Sequence, residues 1–388
     1  MNSQMNNALD SPKYKVRRVL QLGKFYPLKG GVEKVMYDLM LGLSEKKVDC
    51  DMLCAHLSRD SRRVKLNRRA QVICSGSWGK VFGTMITPSM VLTLWKECAQ
   101  YDIIHVHCPD PMAVFALFCS KYKGRVVVHW HSDIVKQKNL LKLYLPLQKW
   151  LLRRADRIVC TSPVLVSDSP YLREWSDKIT VIPIGVSGLN NDNAIYSALK
   201  IKEQFDCGKI IFALGRLVEY KGFSYLVDAA KYLPDDYQVV IGGQGPLYKE
   251  LASQIFREKL DHKVHLMGFI AKDQLPAFFH TCDVFCLSSI YRTEAFGIVQ
   301  IEAMSCGKPV VATTIPGSGV SWVNEHGVSG LNVEPCNPKA LADAIVEITA
   351  DEERYARFSH GAKERFNKMF TKDKMIESCL ELYNELSE

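Results

Sequence analysis

Short apolar runs alternate with amphipathic stretches along almost the whole chain. Runs such as Val284–Leu287 are apolar at every position, which is typical of strands that helices cover on both faces. Stretches such as Val32–Glu45 instead repeat apolar residues at helical spacing. This alternation predicts parallel βαβ units, so the predicted fold class is α/β with doubly wound parallel sheets.

The strand candidates fall into two series, separated by a polar, turn-rich stretch after Gly185. The first series is Arg18–Leu22, Asp49–Cys54, Ala70–Cys74, Ile103–His107, Arg125–His129, Arg157–Thr161 and Ile179–Ile182. The second is Ile210–Leu214, Gln238–Ile241, Lys263–Met267, Val284–Leu287, Pro309–Thr313 and Gly330–Val333. For a chain of 388 residues, this predicts domains over 1–187 and 205–368, facing each other across a cleft and joined by a linker over 188–204.

Positive charge is concentrated in the first series. Residues 1–200 hold 30 Lys and Arg against 16 Asp and Glu, a net charge of +14, whereas residues 201–388 carry a net charge of −6. A basic half is expected to meet an anionic partner: nucleic acid, phosphate or a membrane surface. Helix-turn-helix, zinc-finger and RNP-like patterns are absent from the sequence, so we do not expect nucleic acid as a partner.

Two segments account for most of this charge. Arg59–Arg69 has five arginines in eleven residues and is expected to form a mobile basic loop near a membrane or an acceptor phosphate. Lys136–Arg157 interleaves leucines with Lys and Arg, and contains Pro146. Two interpretations stay open for it: a helix on an anionic membrane, or a helix packed on the sheet with its charges in water.

The cysteines and the chain start indicate the compartment. The 13 cysteines are scattered and include no C-x-x-C pair, which fits a reduced cytosol and argues against a zinc site. Residues 1–14 lack the apolar core of a signal peptide, and no run of eighteen apolar residues occurs in the sequence. We therefore expect a cytoplasmic protein.

Two strand-to-helix loops contain residues that suit an anion. Gly30 and Gly31 precede the Val32 helix, where backbone amides and the helix dipole favour negative charge, although such a pair is often only a tight turn. In the second half, Arg216 and Lys221 lie between Gly215 and Gly222, directly after a strand. They form either a clamp for one diphosphate or two solvated surface cations.

The segment Ser288–Pro309 carries two glutamates eight residues apart. Glu294 is predicted in a loop after a buried strand, and Glu302 two turns into the next helix. Carboxylates accept hydrogen bonds from hydroxyl groups, so the pair could hold a sugar and a ribose of one ligand. Because Glu302 stands among Ile298, Val299, Ile301 and Ala303, it is not expected to be a freely solvated charge.

The stretch E-A-F-G-I-V-Q-I-E resembles the E-x7-E motif of glycosyltransferase family four, retaining sugar transferases of the GT-B fold. The resemblance covers nearly the whole chain and is especially close to bacterial mannosyltransferases of surface-polysaccharide (O-antigen) synthesis. Further motifs in family order are G-G-V-E (Gly30–Glu33), H-x-H-x-D (His129–Asp133), V-I-P-I-G-V (Val181–Val186), G-R-L-x-x-x-K-G (Gly215–Gly222), G-G-Q-G-P (Gly242–Pro246), M-G-F-I (Met267–Ile270) and P-V-V-A-T (Pro309–Thr313).

The resemblance implies a role for each matching residue. Arg216 and Lys221 would bind the donor diphosphate in place of a metal ion, so no metal or other cofactor is expected. Glu294 would hold the donor sugar, and His131 would lie beside it. Asp133 would lie on the acceptor side, and residues 369–388 would form a helix that returns to the N-terminal domain. The remaining donor contacts would come from Gly31, Gly215, Gly243, Phe269, Ile270, Phe296, Gly297, Ile298 and Glu302.

The predicted function is transfer of a hexose from a nucleotide sugar to a saccharide acceptor, which we expect to be lipid-linked. Mannose from GDP-mannose is the first choice, and a UDP-hexose or UDP-N-acetylhexosamine the alternative. A nucleotide-sugar epimerase and an inactive binding subunit are the remote alternatives. We also expect the protein to bind the inner face of the plasma membrane peripherally, through the basic N-terminal domain.

Overall fold

A computed structural model describes residues 14–28, 30–81, 84–134, 138–189, 192–205 and 208–388. The strands are β1 (Arg18–Tyr26), β2 (Asp49–His56), β3 (Arg62–Lys65), β4 (Ala70–Ser75), β5 (Lys80–Val81), β6 (Thr84–Met85), β7 (Ile103–Cys108), β8 (Arg125–Trp130), β9 (Arg157–Cys160), β10 (Ile179–Val181), β11 (Lys209–Leu214), β12 (Tyr237–Gly242), β13 (Val264–Gly268), β14 (Val284–Leu287), β15 (Val310–Thr313) and β16 (Gly330–Val333).

The α-helices alternate with these strands. They are α1 (Gly31–Glu45), α2 (Pro88–Glu97), α3 (Pro111–Ser120), α4 (Lys138–Arg154), α5 (Pro163–Asp168), α6 (Asp192–Lys202), α7 (Phe223–Ala229), α8 (Tyr248–Arg257), α9 (Leu275–Thr281), α10 (Ile298–Ser305), α11 (Val320–Val323), α12 (Pro338–Thr349), α13 (Glu352–Met369) and α14 (Lys372–Leu386). Every strand predicted from an apolar run is present, and the predicted α/β class is confirmed.

The chain divides into two compact units. Unit 1 consists of the residues up to Thr161, Tyr171–Ile182 and Lys372–Glu388, and unit 2 of Ser162–Pro170 and Pro183–Thr371. The segment Ser162–Pro170 therefore belongs to unit 2, although the sequence places it inside the first series of strands. Apolar periodicity shows which residues are buried, but it does not show which of two cores buries them.

Unit 1 has a sheet with strand order β10-β9-β8-β7-β1-β2-β4-β3, in which neighbours run parallel except for the antiparallel pair β3 and β4. The central strands are buried on both faces, as in β7, because helices cover the sheet on each side. From β1 the chain builds outward in one direction through β2 and β4, and then in the other from β7. The order thus reverses between β1 and β7, which is where ligands bind in such sheets.

Unit 2 has an entirely parallel sheet with strand order β13-β12-β11-β14-β15-β16. Its order reverses between β11 and β14, so the loops that follow these two strands flank a second switch point. Helices α7 and α12 pack on one part of its core, where Leu226, Val239 and Ile345 are fully buried.

Two predicted segments differ from the structure. The predicted linker 188–204 contains helix α6, which packs on α9 of unit 2 through buried Ala194 and Ala198. The predicted basic loop contains strand β3, and Arg63 and Arg69 form ion pairs with Glu97 and Asp49. An edge strand needs hydrogen bonds to one neighbour only and stays largely exposed, so its sequence can be highly charged and lack an apolar pattern.

Helix α14 packs against α1 within unit 1. Its buried face includes Met375, Ile376, Cys379, Leu380 and Tyr383. Gly42 lets the two helices approach closely, because a Cβ atom at this position would lie 1.9 Å from Ile376 Cδ1 and 2.7 Å from Ile376 Cγ1. The contact between α1 and α14 therefore depends on the missing side chain of Gly42.

We predict that Gly42→Val lowers the free energy of unfolding by about 1–3 kcal/mol, because the added methyl groups overpack the contact with Ile376. Urea unfolding measures the change. The double variant Gly42→Val/Ile376→Ala should be about 1 kcal/mol more stable than the two single effects added together predict. The smaller side chain at position 376 leaves space for the methyl groups added at position 42.

Gly188→Ala is the matched control. A Cβ atom there has Phe366 Cε1 at 4.0 Å as its nearest neighbour, so the effect should stay within about 0.5 kcal/mol. Additive effects of Gly42→Val and Ile376→Ala would contradict the proposed packing of α14 on α1.

Candidate functional site

A buried ion pair lies at the switch point of unit 2. Lys221 ends the short 3-10 turn after β11, Glu294 follows β14, and their Nζ and Oε2 atoms are 2.5 Å apart. Ser289 Oγ donates a second hydrogen bond to Glu294 Oε2 at 3.0 Å. Each of the two charged residues is only 9% exposed. Burying two charges costs several kcal/mol of desolvation, so an ion pair held here by two adjoining loops is a candidate site for charge chemistry.

Glycines let the loops around this pair approach closely. Gly215 leaves room for the Lys221 side chain, whose Cε would lie 3.1 Å from a Cβ atom there. Gly243 follows β12 with φ at +135°, and a Cβ atom would lie 1.8 Å from the carbonyl oxygen of Gly215. A side chain at residue 243 would therefore both strain the backbone and push two loops apart.

Helix α10 begins directly after this loop. Gly297 is its N-cap residue and adopts a left-handed conformation with φ at +74°, and Ile298 is the first residue of the helix. Phe296 is buried and makes an edge-to-face contact with Phe370. The first amides of α10 have no partner within the helix, and they lie beyond the carboxyl end of β14, a position that favours an anion or a hydroxyl oxygen.

The other predicted donor residues differ in burial. Arg216 is exposed, and its guanidinium has no carboxylate within 4 Å among the described residues. Glu302 is half-buried on α10. After β13, Phe269 is largely exposed and Ile270 is buried. The structure therefore brings Lys221 and Glu294 into direct contact, while Arg216 extends into solvent from the same loop.

In unit 1, the predicted residues at the start of α1 and after β8 follow the carboxyl ends of β1 and β8. Gly31 is the exposed first residue of α1, and the nearby Glu33 is buried, which raises the pKa of its carboxyl group. Asp133 follows β8 and accepts a hydrogen bond from Trp130 Nε1 at 2.9 Å. These positions agree with a ligand-facing edge, although Asp133 already has a protein partner.

His131 belongs to a stack of four buried histidines on β7, β8 and the residue that follows β8. The neighbouring rings of His129 and His131 lie 4.1 Å apart with an interplanar angle of 10°. His107 Nδ1 lies 2.9 Å from His131 Nε2, and His107 Nε2 lies 2.7 Å from Gln21 Oε1. Burial lowers the pKa of all four histidines, and that of His129 to about 3, so the stack is neutral at pH 7.

The stack is poorly arranged for a metal ion. Among the described residues, His105, His107 and His129 form a group whose candidate ligand atoms all lie within 4.8 Å of one another. However, their rings are stacked at interplanar angles of 11–27°, so the in-plane lone pairs run side by side instead of converging on one point. Both nitrogens of His107 also have hydrogen-bond partners already.

The H-x-H-x-D motif marks His131, but it does not mark Gln21 or His107. A signal was present: H-x-H occurs at His105–His107 as well as at His129–His131, on consecutive strand candidates. Adjacent parallel strands place such residues side by side, and here His107 is the register partner of His129.

Because the buried histidines are neutral, stability should fall as pH falls below about 6.5, their ordinary pKa. Below that value the unfolded chain binds protons that the folded histidines do not, at about 1.4 kcal/mol per pH unit for each histidine. We predict that His129→Phe, which keeps a stacked ring, reduces the loss of stability between pH 7 and pH 5. Urea unfolding at both pH values measures it, and an unchanged pH dependence would contradict the neutral stack.

Comparisons with known proteins agree with this geometry. Residues 29–187 match the family model described as Glycosyltransferase Family 4, and residues 198–365 match Glycosyl transferases group 1. The chain is 32% identical to the O-antigen chain mannosyltransferase C of Escherichia coli, over 96% of this chain and 99% of that protein. It is 30% identical to the D-rhamnosyltransferase WbpZ of Pseudomonas aeruginosa, over 91% of this chain and 92% of that protein.

Solved structures share the fold. Anabaena HepE in complex with UDP has a TM-score of 0.75 at 22% identity, covering 95% of this chain and all of that one. Sucrose-phosphate synthase from Thermosynechococcus elongatus has a TM-score of 0.77 at 22% identity, over 95% of this chain and 99% of that one. On these matches and on its two parallel-sheet units, the chain belongs to glycosyltransferase family 4 and has the GT-B fold.

Proposed function

We propose that the protein transfers a hexose, with retention of anomeric configuration, from a nucleotide sugar to a lipid-linked saccharide in the synthesis of a cell-surface polysaccharide. The observation that carries the proposal is the buried pair of Lys221 and Glu294 at the switch point of unit 2. The names of its relatives, an O-antigen chain mannosyltransferase and a D-rhamnosyltransferase, support the same class of reaction.

The pair of Lys221 and Glu294 is suited to stabilising a nucleoside diphosphate as it leaves the sugar. As the bond to the sugar breaks, negative charge develops on the leaving phosphate oxygen, and a preorganised cation nearby stabilises that charge. Lys221 is held in position by Glu294, and Arg216 supplies an exposed guanidinium from the same loop. In this proposal the two cations take the role of a metal ion, so transfer requires none.

The remaining roles concern the donor and its surroundings. Glu294 accepts hydrogen bonds from the sugar hydroxyl groups and Glu302 from the ribose, because carboxylates are acceptors only. The first amides of α10, from Phe296 to Ile298, contact the sugar or the diphosphate. His131 contacts the transferred sugar from unit 1.

For the donor, we propose GDP-mannose. The mannosyltransferase relative supports mannose, whereas HepE was solved with UDP, so a UDP-sugar is the alternative. Incubation of the protein with a panel of GDP- and UDP-sugars, with and without a lipid-linked acceptor, tests this by nucleotide release. Acceptor-dependent release from GDP-mannose is expected, and no release from any donor would overturn the proposed transfer.

We predict that Lys221→Ala lowers kcat by at least about a hundredfold, because the charge on the leaving diphosphate loses its nearest cation. Removing one partner also leaves the Glu294 carboxylate buried alone, so Lys221→Ala/Glu294→Gln keeps the test valid if the single variant unfolds. The matched control is Lys231→Ala, which removes a lysine paired with Asp228 and Glu258 at the surface of unit 2. Wild-type turnover in the Lys221 variants would contradict the assignment.

A membrane surface is the second proposed partner, and the structure changes which part of unit 1 is best suited to it. None of the described helices has both the length and the apolar composition needed to cross a membrane. Helices α2 and α3 pack together and expose Leu92, Trp95, Phe115 and Phe118, and Phe118 also contacts Trp150 of α4. We call these four exposed residues the apolar face.

Exposed lysines lie on the helices that carry or adjoin the apolar face. Lys96 on α2 and Lys149 on α4 are exposed. Large exposed apolar side chains beside lysines are typical of surfaces that lie on anionic lipid. The Arg62–Arg69 segment is less suitable than expected, because two of its arginines are neutralised by ion pairs. Residues 135–137, at the start of the predicted basic helix, lie outside the described part of the chain.

We predict that Leu92→Ser/Trp95→Ser weakens binding to phosphatidylcholine vesicles that contain phosphatidylglycerol by at least about tenfold, since two apolar side chains lose their burial in lipid. Vesicle co-sedimentation measures the change. Phe256→Ser on unit 2 is the matched control, because Phe256 is 80% exposed, similar to Trp95 at 61%.

Replacing Arg62, Arg63, Arg68 and Arg69 by serine should have a smaller effect on vesicle binding than the apolar variant, and none on nucleotide binding. Equal binding by the wild type and the Leu92/Trp95 variant would remove the apolar face from the proposal.

A further inference from the structure

Gln21 is a fully buried amide on β1, surrounded by groups that form hydrogen bonds. Its Oε1 atom lies 2.7 Å from His107 Nε2, and its Nε2 atom lies 3.8 Å from Cys50 Sγ. The amide also faces the hydroxyl group of Tyr383, on the buried face of α14. A fully buried amide in a central strand is unusual, because it weakens the apolar core unless its hydrogen bonds are satisfied.

The Tyr383 hydroxyl group also forms a hydrogen bond with a histidine of the stack. Its hydroxyl oxygen lies 2.5 Å from His105 Nδ1. A phenol hydroxyl can both donate and accept, so this contact is satisfied in either tautomer of His105 and does not by itself orient the amide. The orientation follows from the two ends of the amide: the NH₂ group of Gln21 lies beside Cys50 Sγ and Tyr383, and its carbonyl oxygen faces His107 Nε2.

This orientation selects one tautomer in each of the next two rings. A neutral imidazole carries a single N–H, and Gln21 Oε1 can only accept, so His107 is protonated on Nε2. His107 Nδ1 is then an acceptor, and His131 Nε2, 2.9 Å away, must donate to it. His131 Nδ1 keeps its lone pair, is buried, and has no hydrogen-bond partner among the described residues.

We propose that Gln21 is a positioning residue that acts through His107 to hold His131 in the tautomer protonated on Nε2, so that Nδ1 can accept a hydrogen bond from a hydroxyl group of the transferred sugar. The contact with the sugar rests on the proposed function. The tautomer is a property of unit 1 alone and is independent of it. Helix α14 adjoins this network through Tyr383, whose hydroxyl oxygen lies 2.5 Å from His105 Nδ1.

The energetics agree with such a role. The unpartnered nitrogen of His131 is a buried polar atom, and leaving such an atom without a hydrogen bond carries a desolvation cost. A ligand hydroxyl that donates to this nitrogen removes the cost, so the interaction favours binding of the correct group. If His131 Nδ1 carried the proton, the same site would require a hydrogen-bond acceptor on the ligand instead. It would then discriminate differently among nucleotide sugars.

The ring ¹⁵N signals of histidine-labelled protein report the tautomers directly, because a protonated and an unprotonated nitrogen differ widely in chemical shift. In the wild type we expect His107 and His131 to be protonated on Nε2. Gln21→Met has a similar size but no acceptor, and should convert both rings to a mixture of tautomers. Gln21→Glu keeps an oxygen acceptor beside His107 and should retain the wild-type pattern.

His129→Phe is the matched control. His129 lies in the same stack, but both its ring nitrogens lack partners among the described residues, so its loss should leave the tautomers of His107 and His131 unchanged. Protonation of His131 on Nδ1 in the wild type would overturn the proposal even if every variant failed to fold. Unchanged tautomers in a folded Gln21→Met variant would also overturn it.

Enzyme kinetics test the part of the proposal that concerns the transferred sugar. Gln21→Met should lower kcat with the active nucleotide sugar about tenfold, since a misplaced contact near the reacting centre costs rate. Gln21→Glu should recover most of this loss, and the affinity of both variants for free GDP or UDP should stay within about twofold of wild type. If the tautomers change while kcat does not, the tautomer of His131 has no role in the transfer, and the functional part of the proposal is wrong. A wild type without transferase activity would instead refute the proposed function, while the ring signals would still decide the tautomer.

Discussion

The burial of parallel strands on both faces is the constraint on which the rest of the structure depends. Helices cover each sheet on two sides, so polar side chains that must meet a ligand are placed mainly at the carboxyl ends of the strands. In unit 2 this edge carries Lys221 after β11 and Glu294 after β14, on either side of the point where the strand order reverses. The two residues are 73 positions apart in the sequence, and the order of the strands in the sheet brings them into contact.

The two units hold buried polar groups in different ways. Unit 2 pairs opposite charges, which offsets the desolvation of each and keeps an ammonium group in a defined position. Unit 1 instead uses neutral rings and one amide, with one hydrogen bond from α14 to β7 and others from β1 through β7 to His131. A neutral network avoids the desolvation of charge, but its direction depends on single protons. It is therefore sensitive to each donor and acceptor along it.

Much of the fold could be predicted from the sequence. Short apolar runs identified the strands of both sheets other than β3, and helical spacing identified α1. The E-x7-E and G-R-L-x-x-x-K-G motifs marked Glu294 and Lys221 as candidates. Strand β3, helix α6 and the transfer of Ser162–Pro170 to unit 2 were not predicted, because an exposed edge strand, a small surface helix and the choice between two cores have little effect on apolar periodicity.

By itself, then, the sequence determined the α/β class, the two series of strands, the family and the residue types available for diphosphate and sugar. These are local properties, set by periodicity and spacing along the chain. The ion pair of Lys221 with Glu294, the buried chain of Gln21, His107 and His131, and the hydrogen bond of Tyr383 to His105 are set by the tertiary structure. Their hydrogen bonds connect residues up to 278 positions apart, and such contacts depend on strand order and helix docking, which no local pattern encodes.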